Sequence, residues 1–283
     1  MKTSANSILE QQLDATLTEL KKQGFSDKDC QKFLKTVRKK MKDELDTPPK
    51  IALLGLTGVG KSSTINALFN AGRPVSHSVP CTQSAEAVIV STNKGKLEIY
   101  DMPGLGEGIK KDEEHLKTYK QIIPNIDVVL WIINTRTEYT YFQICLKKIL
   151  PTDIQEQKQF LKKMVFAINK VDLFNSSENL NDNSYENQWN TTVNLPGVVQ
   201  QKHIQEFADN TLEIIHDVAP DWSGTICAYS AAKRYHLEEL MLEILSHIEL
   251  KYAWKLSDLA DIADFRELLP PDVRAQLASM EQE

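Results

Sequence analysis

Three stretches of this chain bring together residue types whose spacing suits the handling of a phosphorylated ligand, and a fourth supports them. Gly55-Leu56-Thr57-Gly58-Val59-Gly60-Lys61-Ser62 fits G-x-x-x-x-G-K-[ST], between the apolar Ile51-Ala52-Leu53-Leu54 and a helix-like stretch from Ser63 to Phe69. Glycines let the backbone curl until successive N–H groups point inward, an anion-binding nest at a helix N-terminus. Thr57, Gly58, Val59, Gly60 and Ser63 belong to that cradle. Lys61 would reach the β- and γ-phosphates, and the Ser62 hydroxyl would hold Mg²⁺.

Asp101-Met102-Pro103-Gly104 lies 40 residues after Lys61 at the end of a strand-like run and fits D-x-x-G. A carboxylate there can hold magnesium through a water, and Gly104 lets its backbone N–H approach a γ-phosphate. Asn169-Lys170-Val171-Asp172 follows the apolar Met164–Ile168. The Asp172 carboxylate can accept from both the ring N–H and the amino group of guanine. Adenine lacks that donor pair, and a site built on such bonds discriminates by about 10⁴ or more. Lys170 would lie over the base plane, and Asn169 would tie its loop to the phosphate loop. Ser230-Ala231-Ala232-Lys233 has small side chains that let a backbone N–H reach the guanine O6. Alone it carries little, and its place in the order gives it weight.

The order GLTGVGKS, Thr82, DMPG, NKVD, SAAK resembles the regulatory GTPases of the translation-factor-related class over about residues 50–250. The GKSSTINALFN and DMPGLGE segments look most like the Era-like branch and its poorly characterised bacterial relatives. The resemblance implies GTP/GDP as the bound nucleotide, Mg²⁺ as cofactor, and catalysis involving Lys61, Thr82 and Gly104. It implies metal contacts from Ser62, Thr82 and Asp101. Thr82 would be the switch I threonine, with Ser76, Ser78 and Ser84 as competing hydroxyls. Switch II would run from Pro103 to about Asp112, both segments ordering around the γ-phosphate. Two departures matter. Leu105 stands where some small GTPases carry a water-orienting Gln, as is common in the Era-like branch, so the water-positioning group is unnamed. Gly58 stands where potassium-activated relatives carry Asn, so no potassium dependence is expected. Arg73 and Arg136 are the candidates for a cis arginine finger, and turnover without a partner is expected to be slow.

The elements that must position these motifs alternate. Strands are predicted at Lys50–Gly55, Ala85–Ser91, Lys96–Asp101, Ile126–Ile133, Met164–Asn169 and Thr225–Ser230, with a hairpin turn at Asn93-Lys94-Gly95. The other links are long enough for crossover helices. The fold class is therefore α/β: a six-stranded, mostly parallel sheet with one antiparallel edge strand and helices on both faces. Residues 175–200 are rich in Asn, Ser and Thr without period and read as a loop or insertion anchored by Trp189. A last stripe, Leu237, Leu240, Met241, Ile244, Leu245 and Ile248, is helical.

Three domains follow: a helical hairpin over 1–49, a nucleotide-binding domain over 50–250 and a helical extension over 251–283. The hairpin carries a basic cluster at Arg38-Lys39-Lys40 and Lys42, read as a solvated face or as a contact with an acidic surface. Residues 1–50 hold 11 basic and 8 acidic side chains, while residues 234–283 hold 5 and 11. These opposite charges favour packing of the two flanks into one small lobe.

The whole chain of 283 residues has a net charge of −6, which argues against a large nucleic-acid footprint. Four scattered cysteines without a C-x-x-C pair point to reduced thiols in a cytoplasmic protein. No run reaches the length of a membrane span, and the N-terminus lacks the pattern of a leader. The six histidines show no ligand spacing, and His115 reads as a helix-face residue rather than a base. Tyr139, Tyr141 and Phe142 read as packing.

The leading reading is a molecular switch that hydrolyses GTP to GDP and phosphate. The alternative is a nucleotide-gated interaction module with negligible hydrolysis. An ATPase or kinase is opposed by NKVD, and a membrane-remodelling stalk by the short flanks. Partners would be an unidentified protein or ribonucleoprotein effector, with a homodimer as a further option.

Overall fold

The computed structural model describes residues 48–69, 85–92, 95–135, 137–174 and 188–248, with scattered helical or capping positions between 18 and 36. Several expectations lie outside the described residues: the hairpin of 1–49 as a unit, Thr82 with Ser76, Ser78 and Ser84, Arg73, Arg136, Asn93-Lys94, residues 175–187 of the 175–200 segment, and the 251–283 extension.

Six strands form one sheet in the order β2-β3-β1-β4-β5-β6. They are β1 (Lys50–Gly55), β2 (Glu86–Thr92), β3 (Gly95–Asp101), β4 (Val128–Ile133), β5 (Met164–Ile168) and β6 (Ile226–Ala228). All neighbours pair parallel except the edge strand β2, which runs antiparallel to β3 with Thr92 opposite Gly95. The helices are α1 (Lys61–Phe69), α2 (Ile109–Ile122), α3 (Tyr139–Ile149), α4 (Ile154–Leu161), α5 (Val198–Val218) and α6 (Leu237–Ser246). Strand β6 is shorter than the predicted Thr225–Ser230, because Ser230 turns out of the sheet to bridge Tyr235. Helix α5 begins inside the stretch read as insertion, so the irregular part ends by Gly197.

The central strands are buried on both faces, which explains their unbroken apolar runs. Alternation along β1 divides them. Ile51 and Leu53 pack with Ile65 and Leu68 of α1 and with Leu237, Leu240, Met241 and Ile244 of α6. Ala52 and Leu54 face the opposite layer, with Tyr119 of α2, Phe142 of α3, Leu161 of α4 and Ile215 of α5. Edge-to-face rings knit that layer: Trp131 to Phe142 at 5.3 Å and Phe166 to Trp222 at 4.9 Å between centroids. The Trp222 indole N–H donates to the Met164 carbonyl at 2.9 Å, so its polar edge is satisfied in the core.

Strand β1 is where the chain's direction of travel across the sheet reverses: β3 lies on one side and β4 on the other. In open parallel sheets ligands bind outside the carboxyl ends of the strands at such a point. The phosphate loop after β1, Asp101 at the end of β3, Asn169 after β5 and Ser230 beyond β6 all lie at that edge.

Candidate nucleotide site

The loop from Gly55 to Gly60 leaves β1 and closes on the first turn of α1. Gly60 has φ 101°, and a Cβ there would run into the Asn169 amide. The turn therefore needs glycine for its backbone and for its neighbour. Lys61 opens α1 with only 7% of its surface exposed. Its Nζ donates to the Gly55 and Leu56 carbonyls, each at 3.2 Å. Burial lowers this ammonium to about 8, while Asp101 and Glu107 pull it back up. A charged lysine held against its desolvation in a glycine nest is a site that an anion completes.

Ser62 Oγ donates to Asp101 Oδ2 at 2.7 Å, which brings the serine of α1 beside the carboxylate at the end of β3. Two hard oxygen donors beside a phosphate cradle fit magnesium, which keeps several waters and takes one or two protein oxygens with substrate phosphates. Among the described residues no group of three or more His, Cys, Asp or Glu side chains could hold a metal by itself.

Beyond Asp101 the DMPGLGE segment folds back over the phosphate loop. Thr57 N–H donates to the Leu105 carbonyl at 2.7 Å and Leu105 N–H to the Gly55 carbonyl at 3.2 Å. A Cβ on Gly104 would lie 2.8 Å from Thr57 Cα, so only glycine permits this approach. Thr57 Oγ1 donates to Glu107 Oε1 at 2.9 Å. Leu105 itself is wholly buried in the core layer below and cannot face water.

The same segment is gripped from α2. Tyr119 OH donates to the Pro103 carbonyl at 2.5 Å, and His115 Nδ1 bonds the Gly104 carbonyl at 2.8 Å. Asp112 Oδ1 accepts from Gly106 N–H at 3.0 Å and Glu107 N–H at 3.2 Å, and its other oxygen accepts from Tyr141 OH. His115 is a helix-face residue as expected, and the face it stands on is buried against the loop. Tyr141 packs against the core and in addition bonds the loop-holding carboxylate. Phe142 is a core residue as expected.

The base-recognition side is tied to the phosphate side through Asn169. Its Nδ2 donates to the Val59 carbonyl at 2.9 Å, and its Oδ1 accepts from Lys170 N–H at 2.7 Å and Ala231 N–H at 3.0 Å. Lys170 takes a left-handed backbone, φ 65°, and its Nζ crosses to the Gly58 carbonyl at 2.7 Å. Ser230 Oγ donates to Asp172 Oδ1 at 2.5 Å and receives Lys233 N–H at 3.0 Å. The Ala231 and Lys233 amides are thus engaged within the protein, with Ala232 between them.

Several residues here were missed from sequence. Gln200 of α5 is 1% exposed, and its Nε2 faces the Val171, Asp172 and Phe174 carbonyls at 3.3, 3.3 and 2.8 Å. Asn194, φ 53°, donates to the Lys233 carbonyl at 2.9 Å and receives the Trp189 indole N–H at 3.2 Å. Trp189 also meets Tyr235 edge-on at 5.1 Å, so it anchors its loop as expected. Nothing in the sequence marked Gln200. The 3–4 spacing of Asp112, His115 and Tyr119 directly after DMPG was a readable sign of one helix face aimed at that loop.

Residues 50–170 match the 50S ribosome-binding GTPase family. The uncharacterized protein YkfA of Escherichia coli K12 is 36% identical over 103 residues, 34% of this chain and 36% of that protein. GTPase Der of Karelsulcia muelleri is 32% identical over 146 residues, 50% of this chain and 31% of that protein. The matches thus span about a third of these relatives' own length. A solved structure of Toc33 from Arabidopsis thaliana, in a dimerization-deficient mutant form, shares the fold at TM-score 0.51 and 16% identity, covering 83% of this chain and 95% of that one.

Proposed function

We propose, on the premise that residues 50–170 form a P-loop GTPase domain, that this chain is a guanine-nucleotide switch that hydrolyses GTP to GDP and phosphate. The observation that carries the reading is Asn169. One side chain joins the phosphate loop at Val59 to both base loops, at Lys170 and Ala231, so the two halves of a nucleotide site form a unit.

In this reading the amides at the start of α1, from Gly60 to Ser63, and the Lys61 ammonium hold the β- and γ-phosphates, while the Thr57 amide stays with the Leu105 carbonyl. Asp172 accepts from the guanine N1–H and amino group, Ser230 fixes that carboxylate, and the Ala232 amide reaches O6. Ser62 and Asp101, with Thr82, would hold magnesium, which when bound neutralises charge on the β- and γ-oxygens. Water adds to the γ-phosphorus as its bond to the β-bridging oxygen breaks, and GDP leaves. Catalysis is positional and electrostatic. The buried Leu105 orients no water, which supports slow turnover until a partner completes the site. An effector, protein or ribonucleoprotein, would read the 103–112 segment. Among the described residues no helix is long and apolar enough to cross a membrane.

The test is nucleotide binding and single-turnover phosphate release by the purified chain. GTP and GDP should bind far more tightly than ATP, and Lys61→Ala should abolish phosphate release. Equal binding of ATP and GTP would overturn the guanine assignment. Tight GTP binding without phosphate release, with or without candidate partners, would leave a nucleotide-gated interaction module and remove the enzyme.

A further inference from the structure

One task of the segment after Asp101 in a GTP switch is to present the Gly104 N–H to a γ-phosphate. The structure shows what aims it. The peptide between Pro103 and Gly104 is anchored through its carbonyl, which Tyr119 OH holds at 2.5 Å. No peptide bond in the described chain is cis. In a trans peptide the C=O and N–H point in opposite directions. Drawing the Pro103 carbonyl toward α2 therefore turns the Gly104 N–H away from α2, to the side where Gly104 abuts Thr57 of the phosphate loop. The next peptide confirms the logic. His115 holds the Gly104 carbonyl at 2.8 Å, and the Leu105 N–H at its other end points to the phosphate loop, donating to the Gly55 carbonyl at 3.2 Å.

We propose that Tyr119 and His115 are positioning residues for the triphosphate. They pin two successive carbonyls of the 103–107 segment against α2, so that the Gly104 N–H faces the phosphate loop, and in doing so set the preference for GTP over GDP. The proposal rests on the GTPase reading and adds to it the groups that orient its γ-phosphate contact. A carbonyl accepts only, so His115 carries its proton on Nδ1. Burial holds the Tyr119 hydroxyl well above its ordinary range, which keeps it a neutral donor. Asp112 secures the far end through the Gly106 and Glu107 amides.

Tyr119→Phe removes one hydroxyl and keeps the ring. His115→Leu removes the donor, and His115→Asn restores an N–H near the position of Nδ1. The readouts are the dissociation constants of GDP and of a β,γ-imido GTP analogue, with the single-turnover rate. Tyr119→Phe and His115→Leu should leave GDP binding within about twofold, weaken the GTP analogue about tenfold and slow turnover by at least as much, since a hydrogen bond to a charged group is lost or misaimed. His115→Asn should recover most of the analogue affinity. An unchanged ratio of analogue to GDP affinity, or an equal loss of both, would overturn the proposal, because a merely structural role moves both together. Failure of the wild type to bind any guanine nucleotide would instead remove the GTPase reading beneath it.

Discussion

Asn169 Nδ2 donates to the Val59 carbonyl at 2.9 Å across 110 residues of sequence, while its Oδ1 receives the Ala231 amide. Asn169→Ala leaves the buried Val59 carbonyl and Ala231 amide, and the part-buried Lys170 amide, without this partner. Each of the two buried groups costs about 1–3 kcal/mol, so a loss of about 2–6 kcal/mol in stability is expected. GDP and GTP affinity should fall together, because the phosphate and base loops lose their common brace. Chemical denaturation and titration of both nucleotides check this. A selective loss of GTP would assign Asn169 to the γ-phosphate side instead.

Gln200 of α5 plays a comparable part behind the base loop, where its amide faces three carbonyls of the Val171–Phe174 turn. Gln200→Leu keeps the volume and removes the donors. The turn that carries Asp172 should loosen, with about tenfold weaker binding of GTP and GDP alike and reduced discrimination against ATP. Hydrolysis of the GTP that does bind should continue at the wild-type rate. Competition binding and single-turnover kinetics separate these effects.

The contrast between Asn169 and Gln200 shows what a sequence can disclose. Asn169 belongs to a contiguous motif, and its bridge to the phosphate loop was read from NKVD alone. The sheet was equally legible, because strands buried on both faces appear as apolar runs such as Val128–Ile133. Gln200 lies 28 residues beyond Asp172 at the start of a helix, beside an Asn- and Ser-rich stretch without period. Its role exists only because α5 packs behind that turn. His115 and Tyr119 fall between these cases. Their spacing sets them on one helix face, yet what that face meets is not legible until the DMPG loop is seen folded onto it.

Asp172 accepts from Ser230 Oγ at 2.5 Å, which fixes one carboxylate oxygen. Asp172→Asn replaces one acceptor with a donor. Guanine then meets an N–H opposite its own donor, while xanthine offers a carbonyl at that position. GTP affinity should fall about 10²-fold or more and XTP affinity should rise. Competition between the two nucleotides reads this directly. Retained GTP preference in the variant would mean that Asp172 does not contact the base.

Lys61 makes nucleotide binding depend on pH. Burial lowers its ammonium to about 8 from the ordinary 10.5, with Asp101 and Glu107 opposing. The folded, ligand-free protein therefore holds fewer protons at Lys61 than the unfolded chain between those two values. Stability without ligand should rise as pH increases through that window, and below about 8 the buried charge counts against the fold. Phosphate oxygens supply the missing counter-charge and keep Lys61 protonated in the complex. Above pH 8 binding must then take up a proton, and affinity for GTP and GDP should fall by up to about tenfold per pH unit. Below pH 7.5 this contribution should be flat. Calorimetric titration at pH 9 in buffers of different ionisation enthalpy should show close to one proton taken up per nucleotide. At pH 7 the Lys61 contribution should be small. A proton count near zero at pH 9 would mean that Lys61 stays charged without its anion.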